Sequence, residues 1–288
     1  MEATNPRKLN SAQFVQYEME LEKTIFNGCD EYGSLIVKEQ AQIRSLHFGD
    51  GKKQSVMLRS HPSVLVLYYT QAMMCSLLFN SKPTRILMLG LGGGSLVHFL
   101  FKVAPLAQID VVELRPQVIE ISKTFFKLPG NDCRLTVHCM DAAQFVTDSL
   151  IRKPAQYDLI LVDVFDDSGP SGLVRDKVFL KQCKGLLTDK GVIAFNLWNR
   201  REDTYTSLRK LYNYTFERNL LELKMGYVNN NVVLLAFSSK VPMNGVIQFQ
   251  TKAQKLKQQY GIDFPLFLEL LQKQNFTWLS RMKKLIQL

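Results

Sequence analysis

From residue 84 onward the chain alternates short aliphatic runs with helical patterns, a rhythm that few folds accommodate. The runs cover 85–89, 109–113, 135–138, 157–163 and 192–197, each bounded by Gly, Pro, Asn or Asp. Helical patterns cover 95–103, 116–126, 142–151, 175–186 and 203–217. Uninterrupted aliphatic strands separated by helices predict a parallel sheet buried on both faces, an α/β fold. Two further strands near 221–227 and 232–237, around the turn Asn229-Asn230-Asn231, predict a closing hairpin.

The flanks read differently. Residues 34–38 and 42–48 are strand candidates, followed by the turn Gly49-Asp50-Gly51. Pro62 then opens an apolar helix expected over 63–79. The organisation expected is a β-rich region with a connecting helix over 1–80, a ligand-binding α/β domain over 81–240 and a basic helical extension over 241–288.

Composition removes several classes of protein. At 288 residues, 46% of them hydrophobic, the chain buries a substantial core and does not resemble a disordered one. Five Cys with no CxxC pair do not make a disulfide scaffold. The four His, at 47, 61, 98 and 138, have no metal-ligand spacing, so no metal is expected. The longest apolar stretch, 64–79, is interrupted by Thr70, Gln71 and Ser76 and falls below the ~18 residues of a membrane span. Residues 1–10 are polar and lack the apolar core of a signal peptide, so a soluble cytoplasmic protein with reduced thiols is expected. The net charge is +10, and residues 251–288 carry seven basic and two acidic residues, half of that excess. No RNA-binding motif accompanies the charge. A solvated helix face with Lys252, Lys255, Lys257, Lys283 and Lys284 in water is therefore preferred over a nucleic-acid contact.

Chemistry concentrates at the carboxyl ends of the predicted strands. Gly90-Leu91-Gly92-Gly93-Gly94 follows the first run and precedes a helix, a setting in which backbone approaches a ligand closely. Ser95 stands where a dinucleotide fingerprint wants glycine, which favours a single nucleoside. Glu113 ends the second run, where an acid accepts hydrogen bonds from ribose hydroxyls. Asp141 and Ala142 follow the third run. They suit an adenine amino group, and Asp141 also suits a helix cap. The fourth run delivers Asp163 to the sheet edge with Asp166 three residues on. Carboxylates crowded together favour a cationic ligand.

In order along the chain, these motifs resemble the spermidine synthase family of polyamine aminopropyltransferases, from about Ser34 to Phe237. The family turn D-G-x-x-Q has its counterpart in Asp50-Gly51-Lys52-Lys53-Gln54, and D-x-x-D-x-x-G-P in Asp163, Asp166, Gly169 and Pro170. Phe179, Leu187 and Gly191 continue the spacing. The resemblance implies a Rossmann-like, seven-stranded S-adenosylmethionine-transferase sheet with a small N-terminal β-rich domain. It also implies a homodimer and the transfer of an aminopropyl group from decarboxylated S-adenosylmethionine to a small-molecule amine. By it Asp163 is the catalytic acceptor of the amine proton, Asp166 holds the amine, and Tyr69 matches the pocket tyrosine of a Y-x-E motif. Gln54, Gly90, Gly92, Gly94, Glu113, Asp141 and Ala142 then bind the donor.

The chain departs from this family at four positions. Gly93 replaces the Asp of G-G-G-D-G-G, which faces the donor ammonium and would repel the carboxylate of intact S-adenosylmethionine. Leu65-Val66 replaces an acidic pair, and Gln71 replaces the Glu of Y-x-E, so the distal anchor of a diamine is missing. Aminopropyl transfer to an altered amine is the preferred expectation. Two alternatives stay open: a methyltransferase using intact S-adenosylmethionine, and a non-catalytic nucleoside or polyamine binder. Asp163-Val-Phe-Asp166 in place of N-P-P-Y argues against a nucleobase amino-methyltransferase.

Overall fold

A computed structural model describes residues 21–49, 51–130, 132–152, 156–165, 169–198, 202–225, 231–241 and 246–275. Asp50, Asp166, Lys283, Lys284, residues 1–10 and most of the 229–231 turn lie outside them.

The strands β1 (Lys23–Asp30), β2 (Gly33–Gln40), β3 (Ile43–Phe48) and β4 (Lys52–Leu58) form a four-stranded antiparallel meander. The sequence points to β2 and β3 only. Lys23, Asn27 and Asp30 in β1, and Lys53 and Gln54 in β4, dilute the apolar alternation, and pairing with neighbours supplies what propensity does not. Leu35, Val37, Leu46, Phe48 and Met57 pack on Val118, Ile121 and Phe126 of the helix that follows the sixth strand.

The second sheet comprises β5 (Arg85–Leu89), β6 (Gln108–Glu113), β7 (Leu135–Cys139), β8 (Tyr157–Val162), β9 (Leu187–Trp198), β10 (Leu220–Lys224) and β11 (Asn231–Phe237). Its order is β10-β11-β9-β8-β5-β6-β7, with β5 to β9 parallel and the β10–β11 hairpin antiparallel, matching the expected seven strands. Successive side chains of a strand point to opposite faces. Ile86 and Met88 of β5 accordingly join one core, and Leu87 and Leu89 the other.

Helices α3 (Ser95–Val103) and α4 (Pro116–Phe126) follow β5 and β6, and α5 (Ala142–Ile151), α6 (Lys177–Gly185) and α7 (Glu202–Thr215) follow β7, β8 and β9. The last three cover the Leu87 face. A 3₁₀ turn, Gly172–Arg175, stands where the helix over 175–186 was expected to start. The α-helix begins after Asp176, whose side chain accepts from the backbone N–H groups of Val178 and Phe179 and so fixes the start.

The single helix expected over 63–79 is two short ones, α1 (Tyr68–Met73) and α2 (Ser76–Phe79). Leu67 is extended, and the chain passes Met74 and Cys75 on short-range bonds, Met74 N–H to Gln71 O and Cys75 N–H to Ala72 O. The Ser76 hydroxyl donates to Met73 O, the carbonyl that Leu77 N–H would use in a continuous helix, while Leu77 N–H bonds Met74 O instead.

The C-terminal segment forms α8 (Val246–Tyr260) and α9 (Phe264–Asn275), which place Ala253, Leu256, Phe264, Phe267 and Leu271 in the Ile86-side core. Lys252 departs from the solvated face expected for it: it is half-buried, and its Nζ donates to Leu78 O at 2.5 Å. Lys255 and Lys257 are exposed. No helix among the described residues is long and apolar enough to cross a membrane.

Candidate active site

The chain runs from β5 outward to β6 and β7, then returns to place β8 and β9 on the other side of β5. At such a reversal the loops leaving the two central strands diverge and leave a crevice at their carboxyl ends. A cavity of about 500 Å³ opens there. It is lined by Gln54, Tyr69, Gly90, Gly92, Glu113, Asp141, Ala142 and Asp163, which brings eight of the residues expected from sequence to one place. Gly94 is not on its wall. It takes a left-handed conformation as the cap of α3, where an added Cβ would press on Leu128. Asp166 lies outside the described residues.

Gly90 joins the two central strands at this crevice. Its φ is +96°, its N–H donates to Val112 O at 2.8 Å, and a Cβ would collide with the Asp163 carbonyl oxygen. Only glycine meets both conditions. Glu113 is buried and braces the same turn: one oxygen accepts from Leu91 N–H at 3.0 Å and the other from Arg115 N–H at 3.0 Å. Burial raises its pKa against the pull of those N–H groups and of Arg115. Asp141 caps α5, accepting from Gln144 N–H at 3.0 Å, while it also lines the cavity.

The opposite wall comes from the N-terminal sheet, through Tyr32 and Phe48. Arg115 holds it in place. Its guanidinium donates to both oxygens of Asp30, at 3.0 and 2.7 Å, and to Gly33 O, and it lies 4.6 Å from the Phe48 ring centroid. Sequence reasoning did not find Tyr32, Phe48 or Arg115, because their partners lie some 80 residues away along the chain.

Asp163 sits where β8 ends. Its carboxylate accepts from Tyr69 Oη at 3.1 Å and from Asn196 Nδ2 at 2.8 Å. Burial pushes its pKa up to about 6, although both hydrogen bonds pull it down. Tyr69 is partly buried beside this carboxylate; desolvation and the neighbouring charge hold the phenol well above its ordinary pKa, so it acts as a neutral donor. A smaller cavity of about 130 Å³ lies beyond, lined by Lys53, Gln54, Tyr69, Phe165, Asn196, Trp198 and Asn231. Gln54, Tyr69 and Phe165 belong to both cavities and form the partition between them. Among the described residues no cluster of three or more His, Cys, Asp or Glu is placed to hold a metal ion.

A spermine/spermidine synthase domain matches residues 66–244. A polyamine aminopropyltransferase of Chromobacterium violaceum is 33% identical over 239 residues, covering 83% of this chain and 89% of the relative. Human methyltransferase-like protein 13, solved in complex with SAH, superposes with a TM-score of 0.60 at 25% identity, covering 68% of this chain and 93% of that one. A spermidine synthase solved with the transition-state analogue AdoDATO has a TM-score of 0.59 at 15% identity, covering 85% and 84% of the two chains, a likeness of fold. With a family domain across most of the second sheet, and a relative one-third identical over nearly its whole length, the chain belongs to the spermine/spermidine synthase family of enzymes.

Proposed function

We propose that the protein transfers an aminopropyl group from decarboxylated S-adenosylmethionine to an amine, with Asp163 accepting the amine proton. The observation that carries this reading is the Tyr69–Asp163 pair on the boundary between a nucleoside-sized cavity and a smaller one. Glu113 holds the ribose hydroxyls, Asp141 and Ala142 address the adenine, and Gln54 and the turn at Gly90 and Gly92 enclose the rest of the donor. In the reaction the amine nitrogen attacks the propyl carbon bonded to the sulfonium. The N–C bond forms as the C–S bond breaks, and its electron pair stays on sulfur, which leaves as neutral methylthioadenosine.

The leaving group needs no acid, but the amine must shed a proton. Free alkyl amines resemble Lys, with a pKa of roughly 10.4, and are charged near neutral pH. A partly buried carboxylate first attracts the cation and then takes its proton. With a pKa of about 6 Asp163 is mostly ionised at neutral pH, so activity falls as pH drops through 6. By family likeness Asp166 helps to hold the amine. Leu65 is buried, and the Gln71 amide donates to Leu65 O at 2.7 Å, so neither anchors a second ammonium. The distal anchor expected for a simple diamine is thus missing at these two positions, which supports an altered amine acceptor. A cytoplasmic homodimer completes the reading, and a monomer in sedimentation at micromolar concentration contradicts that part.

A second reading, methyl transfer from intact S-adenosylmethionine, is favoured by Gly93. The chain carries no carboxylate there to repel the intact donor, and a Cβ would lie 2.8 Å from both Phe126 Cδ1 and Ser55 Oγ, so any side chain at this position must displace them. Calorimetric titration with each donor separately tests the two. Tighter binding of the decarboxylated donor supports aminopropyl transfer, and tighter binding of the intact donor replaces it with methyl transfer.

A further inference from the structure

Asp163 does not stand alone behind its wall. In the parallel β8–β9 pair Val162 lies beside Phe195, and β9 runs on to Trp198 after β8 has ended. Asn196 therefore lies beside the first residue after β8, which is Asp163. Asn196 is 1% exposed, and its amide has two committed ends: Nδ2 donates to Asp163 Oδ1 at 2.8 Å, and Oδ1 accepts from Asn231 Nδ2 at 2.8 Å. Asn231 belongs to β11, the next strand, where it pairs with Trp198.

We infer that Asn231 is a positioning residue which, through Asn196, fixes the orientation of the Asp163 carboxylate toward the amine. An amide carries a donor and an acceptor at nearly the same shape, so only its partners decide which end faces where. The ionised Asp163 is acceptor-only and requires the NH₂ of Asn196, which leaves the Asn196 carbonyl facing β11. Asn231 supplies the donor that carbonyl needs, and all hydrogen bonds then run one way, from Asn231 to Asn196 to Asp163. A carbonyl left without a donor in this buried place would weaken the preference for that orientation. Tyr69 from α1 fixes the other oxygen, so the carboxylate is held at both ends and keeps its remaining lone pairs for the amine.

Among the described residues, the charged and titratable groups facing the two cavities around Asp163 are Tyr32 before β2, Tyr69 on α1, Lys53 on β4, Glu113 and Arg115 at the end of β6, and Asp141 before α5. None of them lies on β9 or β11, so Asn231→Leu and Asn231→Gln leave that set intact, whereas Asn231→Asp adds a carboxylate to it. The inference rests on the reading of Asp163 as proton acceptor, and its test separates the two.

The experiment compares the native protein with Asn231→Leu, Asn231→Asp and Asn231→Gln. The Asp163 carboxyl is followed by carbon NMR across pH, with Asp163→Asn supplying the assignment, and pH–rate profiles are recorded beside it. Asn231→Leu removes the donor, Asn231→Asp replaces it with an acceptor, and Asn231→Gln keeps it. The expected result is a higher Asp163 titration midpoint in the Leu and Asp variants. The rising limb of kcat then moves to higher pH, with about a tenfold loss of kcat at pH 6.5 and an unchanged donor KM, and Gln restores the native behaviour. Midpoints and profiles that overlay the native ones in the Leu variant would overturn the inference, because the Asp variant adds a charge of its own. So would a Gln variant as impaired as Leu while equally well folded by circular dichroism. Should the native protein turn over no amine with either donor, aminopropyl transfer falls, while the NMR midpoints still decide whether Asn231 governs Asp163.

Discussion

The two cavities that meet at Tyr69 are built by different means. The larger is made mostly of strand ends and the turns that follow them: Gly90 and Gly92 after β5, Glu113 at the end of β6, Asp141 and Ala142 after β7. The smaller is made of side chains gathered from β4, α1, β9 and β11. A wall of the first kind is tied to the sheet itself. An arrangement of the second kind changes one side chain at a time, which suits the site of a varying substrate.

The largest effect expected lies on the donor side. Arg115→Ala leaves the Asp30 carboxylate without its bidentate partner in a mostly buried place, and a loss of about 3–5 kcal/mol is expected by denaturant unfolding. A loss below 1 kcal/mol would mean that the N-terminal sheet docks through its apolar face alone.

Next is Asp163→Asn, where turnover should fall about 10²-fold or more with donor affinity nearly kept in calorimetry. Its effect on stability has the opposite sign. The folded pKa of Asp163 lies above its unfolded value of 3.8, so its contribution to stability is full below 3.8 and is lost as pH rises through about 6. At pH 8 the Asn variant should therefore be more stable, by on the order of 2–3 kcal/mol, with the difference vanishing near pH 3.5. An inactive variant melting below the native protein at pH 8 would show that the carboxylate's hydrogen bonds outweigh its burial.

Glu113→Ala should weaken both donors alike, by about tenfold to a hundredfold, as expected for hydrogen bonds to a charged group. A loss confined to one donor would remove Glu113 from the ribose. The smallest effect is expected from Gly93→Asp, which should lower affinity for the intact donor relative to the decarboxylated one by about fivefold, on the order of 1 kcal/mol for a screened charge. Because its Cβ presses on Phe126, the variant's fold must be checked alongside the ratio.

The same contrast explains what sequence alone disclosed. The parallel strands and the turn after β5 were readable because local periodicity and adjacent glycines carry them. The break between α1 and α2 was not, since Ser76 reads as a tolerable helix residue until its hydroxyl is seen bonded to Met73 O. Asn196 and Asn231 gave no signal either. Each is an ordinary strand residue whose role arises only when β9 lies between β8 and β11. Arg115, two residues past Glu113, was hidden because its partner Asp30 belongs to another sheet.

That partnership has a thermodynamic consequence. Since Tyr32 and Phe48 supply one wall of the larger cavity, a ligand there contacts two sheets at once and binds the docked form in preference to the undocked one. Ligand and docking are then linked by mass action, and a ligand at a hundred times its dissociation constant would add about 2.7 kcal/mol to the docked state. Saturating methylthioadenosine should accordingly slow amide exchange in β1 and β2 and protect the turn at Glu31 and Tyr32 from proteolysis. The meander thus serves as a reporter of occupancy as well as a wall.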